Sequence, residues 1–155
     1  LKKEIVDVHQ IIQDAIRNTS HALTEKQGMV STSFSAPDPT IEADRLHLTN
    51  VFHNLFDNAI KYCNGAPQIL VSTRKSNGSI HIDVKDNGIG ISGENQKRVF
   101  QKFFRVPTGN LHDVKGFGLG LSYVKTIMEA HRGNIRVAST LGEGSVFTLI
   151  LPVIK

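Results

Sequence analysis

The sequence lacks the features that mark secreted scaffolds, membrane spans and fibrous chains. Its only cysteine, Cys63, cannot form a disulfide within the chain, which is typical of a protein from a reducing compartment. The longest apolar stretch, 146–154, is about half the length of a membrane span and contains Thr148 and Pro152. Repeats and low-complexity tracts are also missing. These absences exclude a disulfide-stapled scaffold, a membrane-spanning helix and a collagen-like or disordered chain.

What remains is the composition of one globular domain. The chain has 155 residues, of which 39% are hydrophobic, and a formal net charge of +4. A chain of this length buries enough surface to fold without a disulfide or a structural metal. The 18 Lys and Arg residues form no basic stripe interleaved with aromatics, so we expect no nucleic-acid partner. The single cysteine leads us to expect a cytoplasmic domain, and because the sequence begins at Leu1 rather than at Met, we expect residues 1–155 to be excised from a longer protein.

Hydrophobic periodicity predicts helices mixed with hairpins. Helical spacing is found at 9–27, from Asp44 to about Cys63, at 95–105 and at 119–130. Alternation predicts an edge strand at 3–8, a pair of strands at 29–35 and 40–43, and hairpins over 68–85 and 134–151. Segment 106–115 is predicted to be a loop that could cover a ligand. This mixture favours an α+β fold, a two-layer α/β sandwich with helices on one side of a mixed, largely antiparallel sheet.

The helix predicted after Asp44 carries polar side chains along one edge of its apolar face. At 100° per residue, Asn54, Asn58 and Lys61 lie within about 60° of one another, and Tyr62 is next to them. An amide oxygen can bind Mg²⁺, an ammonium group can bind phosphate, and an aromatic ring can pack on a flat base. A solvated polar flank explains the same pattern equally well, so both interpretations stay open at this point.

Two glycine-rich segments follow. The segment 86–90, Asp-Asn-Gly-Ile-Gly, ends a predicted strand, so its carboxylate could accept a hydrogen bond from an exocyclic amine while the glycines let a planar base approach. The segment 116–121, Gly-Phe-Gly-Leu-Gly-Leu, precedes a helix, whose first N–H groups favour anions. The alternatives are an Asx turn and close helix–sheet packing, respectively. A dinucleotide fingerprint at Gly88, Gly90 and Gly93 is disfavoured, because these glycines follow a hairpin strand rather than opening a βαβ unit.

In order, these segments resemble the sequence boxes of sensor histidine kinases. The N box corresponds to 54–62, the G1 box to 86–90, the F box to 100–105, the G2 box to 116–121 and the last G box to 142–145. The resemblance covers nearly the whole chain. It implies the Bergerat ATP-binding fold that is shared with gyrase, Hsp90 and MutL.

The same resemblance implies a role for each matching residue. Asn58 would bind Mg²⁺, Asn54 and Lys61 would address the phosphates of ATP, and Arg105 would touch phosphate or the partner helical domain; these four form the implied catalytic set. Tyr62 would stack near adenine, Asp86 would accept from the adenine N6 amine, and Ser145 would help a water to hold the base. The other nucleotide-binding positions implied by the glycine boxes are Gly88, Ile89, Gly90, Gly116, Gly118, Leu119 and Gly120.

One position separates phosphate transfer from hydrolysis within this superfamily. Hydrolytic members carry a glutamate one turn before the metal-binding asparagine, and this sequence has Asn54 there, whose amide cannot take a proton from water. The resemblance therefore implies transfer of the γ-phosphate to a histidine on a separate dimerisation domain, with a response regulator downstream and a homodimeric, membrane-anchored parent. His112 comes close to the phosphoacceptor pattern but lacks the proline that ends it, and His53 is an alternative base. The rival functions are a non-catalytic nucleotide-binding regulator, similar to anti-sigma kinases, and a hydrolytic ATPase.

Overall fold

The computed structural model describes residues 1–102, 104 and 120–154. Within these ranges the elements are, in chain order, β1 (Glu4–Asp7), α1 (Val8–Glu25), β2 (Met29–Phe34), β3 (Thr40–Ala43), α2 (Arg45–Lys61), β4 (Gln68–Ser76), β5 (Ser79–Asp86), α3 (Gly93–Gln96), α4 (Gly120–Ala130), β6 (Asn134–Thr140) and β7 (Gly144–Pro152). No helix in this part of the chain combines the length and the apolar character needed to cross a bilayer.

The main sheet is mixed. Its described strands have the order β2-β4-β5-β7-β6, in which β2 and β4 run parallel and all other neighbours are antiparallel. β1 and β3 form a separate two-stranded ribbon. The predicted α+β class and the largely antiparallel sheet are confirmed.

The predicted pairing of the strands at 29–35 and 40–43 is wrong. β2 lies along β4, with Val30 opposite Ile69, and β3 lies along β1. The five residues between β2 and β3 include Pro37 and Pro39, which have a fixed φ and no N–H to donate to a hairpin ladder. The chain therefore leaves the main sheet at this point instead of turning back on itself.

The helical layer covers one face of the main sheet. On β5 the buried residues alternate with more exposed ones, the buried set being Ile80, Ile82 and Val84. The predicted apolar stripe of α2 is buried in full: Leu48, Val51, Phe52, Leu55, Phe56 and Ala59. Burial of each large side chain contributes about 1.5–3 kcal/mol. The stripe thus fixes the rotation of α2, which leaves the helix's polar edge outside the core.

Asp44 anchors the start of α2, as predicted. Its carboxylate accepts hydrogen bonds from the N–H groups of His47 (3.0 Å) and Lys2 (2.7 Å), which hold its pKa below the ordinary value. The N–H of Asp44 donates to Nε2 of buried His131 at 2.9 Å, and Nδ1 of His131 donates to the carbonyl of Ile127 at 2.7 Å. The start of α2 and the end of α4 are therefore tied together.

The helix predicted over 95–105 is also wrong. α3 spans only Gly93–Gln96 and is capped by Ser92, whose Oγ accepts from the N–H of Asn95 at 3.2 Å. The N–H of Arg98 then donates to the carbonyl of Asn95 at 2.9 Å, which closes a turn of three residues rather than four. The N–H of Gln101 likewise donates to the carbonyl of Arg98 at 2.9 Å, so the segment continues as successive three-residue turns, and Phe100 packs edge-on against Phe147 of the sheet. The loop predicted at 106–115 lies outside the described residues.

Candidate functional site

The inner face of the main sheet changes from apolar to polar at one end. A row of core residues runs across β4, β5, β7 and β6: Val71, Val84, Phe147 and Val137. The next row on the same face, two residues along each strand, consists of Ile69, Asp86, Ser145 and Ser139. We call Asp86, Ser145 and Ser139 the polar row. A carboxylate and two hydroxyl groups thus lie side by side where the hydrophobic core ends.

One carboxylate oxygen of Asp86 accepts hydrogen bonds from the protein backbone. Oδ1 accepts from the N–H of Gly88 at 2.8 Å and from the N–H of Ser145 at 3.2 Å. Burial raises the pKa of Asp86, and these two hydrogen bonds oppose that rise. Among the described residues both bonds reach Oδ1, so Oδ2 is left to accept a hydrogen bond from a ligand.

The backbone after Asp86 is clamped between α2 and the β6–β7 turn. The N–H of Ile89 donates to the carbonyl of Tyr62 at 2.8 Å, and its carbonyl accepts from the N–H of Gly142 at 2.8 Å. A Cβ added to Gly88 would lie 2.7 Å from the carbonyl oxygen of Tyr62. Gly90 has φ +77°, and a Cβ there would lie 2.2 Å from the carbonyl oxygen of Thr140. Both positions therefore require glycine for close packing.

The polar edge of α2 meets the start of α4. Asn54 Nδ2 donates to the carbonyl of Asn50 at 2.9 Å, and a Cβ added to Gly120 would lie 2.9 Å from Asn54 Oδ1. Asn58 lies half-buried one turn further along. Lys61 forms an ion pair with Asp57 at 2.8 Å, in which both side chains are at least one-third exposed, so the pair itself adds little stability. Two amides and an ammonium group thus share one edge next to a helix N-terminus.

His53, the residue before Asn54, forms a hydrogen bond with α1. Its Nε2 accepts from Nδ2 of Asn18 on α1 at 3.2 Å. A cavity of about 710 Å³ between α1, α2 and α4 is lined by His53, Asn54 and Tyr123 among others. The hydrogen bond to α1 favours a packing role for His53 over the alternative role of a base.

Similarity to known proteins identifies the family. A family model described as histidine kinase-, DNA gyrase B- and HSP90-like ATPase matches residues 43–155. The chain belongs to this family. The sensor protein RprX of Bacteroides fragilis (strain YCH46) is 45% identical over 157 residues, which cover 100% of this chain and 30% of RprX. The chain therefore spans about a third of the length of this curated relative.

Solved structures of histidine kinases show the same fold. The catalytic domain of the histidine kinase ThkA superposes with a TM-score of 0.84 at 23% identity and covers 98% of both chains. Full-length ShkA in complex with AMPPNP superposes with a TM-score of 0.85 at 29% identity, over 98% of this chain and 31% of ShkA. The Bergerat fold expected from the sequence is confirmed, and the chain is a histidine-kinase-type ATP-binding domain.

In this histidine-kinase-type domain, the predicted nucleotide residues form two neighbouring groups. The group at the end of the sheet contains Asp86, Gly88, Ile89, Gly90 and Ser145, and the group along α2 and α4 contains Asn54, Asn58, Lys61 and Gly120. Tyr62 joins the two groups, because it caps α2 and its carbonyl holds Ile89. Arg105, Gly116, Gly118 and Leu119 lie outside the described residues.

Two residues that hold the predicted nucleotide residues in place were not predicted from the sequence. Ser139 completes the polar row, and its signal was a polar residue following Ile135 and Val137 in the inward alternation of β6. Asn87 holds the loop from the other side, because its Oδ1 accepts from the N–H of Gln68 at 2.8 Å. The Asp-Asn-Gly motif indicated a turn at this point but not this contact with β4.

Proposed function

We propose that this domain binds Mg²⁺-ATP and donates the γ-phosphate to a histidine on a separate dimerisation domain of the same parent protein. The observation that carries the proposal is the amide of Asn54, which lies against Gly120 at the N-terminus of α4. An amide cannot act as the general base that efficient hydrolysis requires. The family model covers both kinases and ATPases, and the similarity to the sensor protein RprX supports a kinase rather than a hydrolase.

The base of ATP is proposed to lie against the polar row. Oδ2 of Asp86 would accept from the adenine N6 amine, while Oδ1 stays bonded to the protein. Gly88 and Gly90 let this loop pack closely against the backbone of Tyr62 and Thr140, which would fix the backbone beside which a flat ring lies. Tyr62 would pack beside the ring, and Ser145 would hold a water against it.

The triphosphate is proposed to lie along α2 and the start of α4. Asn54 and Asn58 stand one helical turn apart on the same edge, and a single amide oxygen suits Mg²⁺, which takes most of its ligands from phosphates and water. Asn58 would hold this ion, which neutralises phosphate charge when it is bound. Lys61 would exchange its exposed ion pair with Asp57 for a phosphate oxygen. The rest of the triphosphate-binding part of the site is proposed to consist of Arg105, Gly116, Gly118, Leu119 and Gly120.

Transfer to histidine explains why no base is needed at Asn54. The bond between the γ-phosphorus and its bridging oxygen breaks, a bond from phosphorus to an imidazole nitrogen forms, and ADP leaves. A neutral imidazole nitrogen already has a free lone pair, whereas attacking water must lose a proton. The domain's contribution is therefore to position the nucleotide and to balance its charge.

The parent protein is proposed to be a homodimeric, membrane-anchored sensor whose catalytic domain lies in the cytoplasm. Its phosphohistidine would pass the phosphoryl group to a response regulator. The proposal draws on the family and on the relatives' names, since the chain covers only 30% of RprX. Residues 1–155 would form its single ATP-binding domain.

The test is a transfer assay with labelled ATP. The 155-residue chain is mixed with Mg²⁺, γ-labelled ATP and a helical dimerisation domain that carries the phosphoacceptor histidine. We expect acid-labile label on that domain, and none when its histidine is replaced by alanine. Chain carrying Asp86→Asn is the matched control on the nucleotide side.

Three outcomes separate the candidate functions. Tight ATP binding without any transfer would favour the nucleotide-binding regulator. Steady release of inorganic phosphate without an acceptor would favour the ATPase and contradict the argument from Asn54. Label that is stable to acid would show that the acceptor is not histidine.

A further inference from the structure

Ser139 lies at the centre of the hydrogen bonds that close the site. Its Oγ is 2.8 Å from the carbonyl oxygen of Gly144, 2.7 Å from Ser145 Oγ and 2.7 Å from the backbone N of Ile91. Its own carbonyl accepts from Nε2 of Gln96 at 3.0 Å. The hydroxyl of Ser139 therefore contacts the β6–β7 turn and the end of the 86–91 loop at the same time.

The directions of these hydrogen bonds follow from the chemistry of the groups. A hydroxyl has one proton to donate and two lone pairs that accept. The N–H of Ile91 can only donate and the carbonyl of Gly144 can only accept. All three contacts are satisfied when Ser139 gives its proton to Gly144 and accepts protons from Ile91 and Ser145.

In this arrangement the hydroxyl proton of Ser145 is used in its hydrogen bond to Ser139. The Ser145 hydroxyl donates to Ser139, so it has only lone pairs left for a ligand or a bound water. Asp86, its neighbour across β5 and β7, also presents only an acceptor at Oδ2. The polar row thus offers acceptors, and it fits a ligand edge that brings N–H donors.

We propose that Ser139 is a positioning residue that sets the Ser145 hydroxyl as an acceptor and thereby makes the site prefer a 6-amino purine over a 6-oxo purine. The inference rests on the nucleotide site of the proposed function and adds the residue that fixes its base preference. A 6-oxo purine brings an acceptor to the place where the row has no proton to give. Without Ser139, the Ser145 hydroxyl could turn and donate to the water that it is proposed to hold, which would free a proton of that water for the 6-oxo group.

The test compares ATP with inosine triphosphate, which carries a 6-oxo group and a protonated N1. Dissociation constants of both are measured by calorimetry for the unchanged chain and for Ser139→Ala. We expect the preference for ATP to fall roughly fivefold to tenfold, the range of one lost hydrogen bond. Ser139→Thr keeps a hydroxyl on a strand residue and should keep the preference. Ser139→Cys keeps the volume with a poor acceptor, and it replaces the alanine variant if that variant does not fold.

A second comparison separates positioning from a general loss of structure. In a chain that already carries Ser145→Ala, Ser139→Ala should not lower the preference any further, because the hydroxyl through which it acts is gone. An unchanged preference in Ser139→Ala and Ser139→Cys, or a further loss in the Ser145→Ala background, overturns the inference alone. Failure of the unchanged chain to bind ATP overturns both the inference and the proposed function.

Discussion

Replacing Gly90 with alanine should destabilise the domain much more than the same change at Gly142. The two glycines have almost the same left-handed backbone, φ +77° and +82°, so alanine adds about 1–2 kcal/mol of backbone strain at either position. At Gly142 a Cβ would meet nothing within 4 Å, whereas at Gly90 it would lie 2.2 Å from the carbonyl oxygen of Thr140. The difference between the two variants therefore isolates the backbone contact.

The free-energy cost of that contact follows from the interactions that the added Cβ would disrupt. To admit the Cβ, the 86–91 loop has to move from the β6–β7 turn, which breaks the 2.8 Å hydrogen bond from Gly142 N–H to the carbonyl of Ile89. Overpacking costs about 1–3 kcal/mol and the lost hydrogen bond about 1 kcal/mol. We expect a total loss of about 3–6 kcal/mol for Gly90→Ala and about 1–2 kcal/mol for Gly142→Ala.

The assay is urea unfolding followed by circular dichroism, with ATP titrated into each folded variant. In thermal unfolding each kcal/mol corresponds to about 2–4 °C in a chain of this size. Gly90→Ala should also lose ATP affinity, because Asp86 shares the displaced loop. Equal losses of stability in the two variants would refute the claim that the loop is held by direct backbone contact with β6.

Three further changes test single residues of the site. Burial raises the pKa of Asp86, so the folded chain binds the carboxyl proton more tightly than the unfolded chain, and stability should fall as pH rises from the ordinary carboxyl range through the raised pKa. Asp86→Asn should remove this pH dependence of stability in urea titrations. At pH 7 the variant should be at least as stable as the unchanged chain, while its ATP binding falls at least tenfold. Asn58→Ala should weaken ATP binding only when Mg²⁺ is present, and an equal loss in calorimetry with and without the ion would contradict its role as ligand. Gly120→Ala should displace the amide of Asn54 and weaken ATP binding more than AMP binding. Stability should not fall, because the crowded atom is the end of a side chain and alanine favours the helical conformation. An equal loss of AMP binding would contradict the proposal that the phosphates lie beside Gly120.

The fold was predictable wherever local periodicity and core packing agree. The stripe of α2 and the turn at Asn77 and Gly78 follow from patterns within one element, and both are present. The partner of β2 could not be read locally, because it is β4, more than thirty residues away, that pairs with it in parallel. The helix predicted over 95–105 was wrong because the backbone after Gln96 closes three-residue turns, which local apolar spacing does not distinguish from a helix.

The predicted site residues divide in the same way. Asp86 and its glycines were predicted because the segment 86–90, in order with the other boxes, resembles a known family, and their role in binding the base stays a prediction. Ser139 was missed because a single serine in a strand forms no recognisable motif. Its importance depends on hydrogen bonds to Gly144 and Ser145 across the β6–β7 turn. A residue that acts on a binding site through another side chain can be predicted only when the register of the neighbouring strands is known.

The register also leads us to expect that the proposed base site and the core respond separately to mutation. The polar row occupies the next positions on the face that buries Val84 and Phe147, so the same alternation that builds the core brings Asp86 and Ser145 to the edge where we propose that the base binds. Burial of Asp86 raises its pKa and opposes ionisation, a cost to stability that the apolar rows offset. A variant that neutralises Asp86 keeps those apolar rows intact and removes the unfavourable burial of charge. Loss of ATP binding without loss of stability is therefore the expected signature of this row, whereas changes at Gly90 should reduce both together.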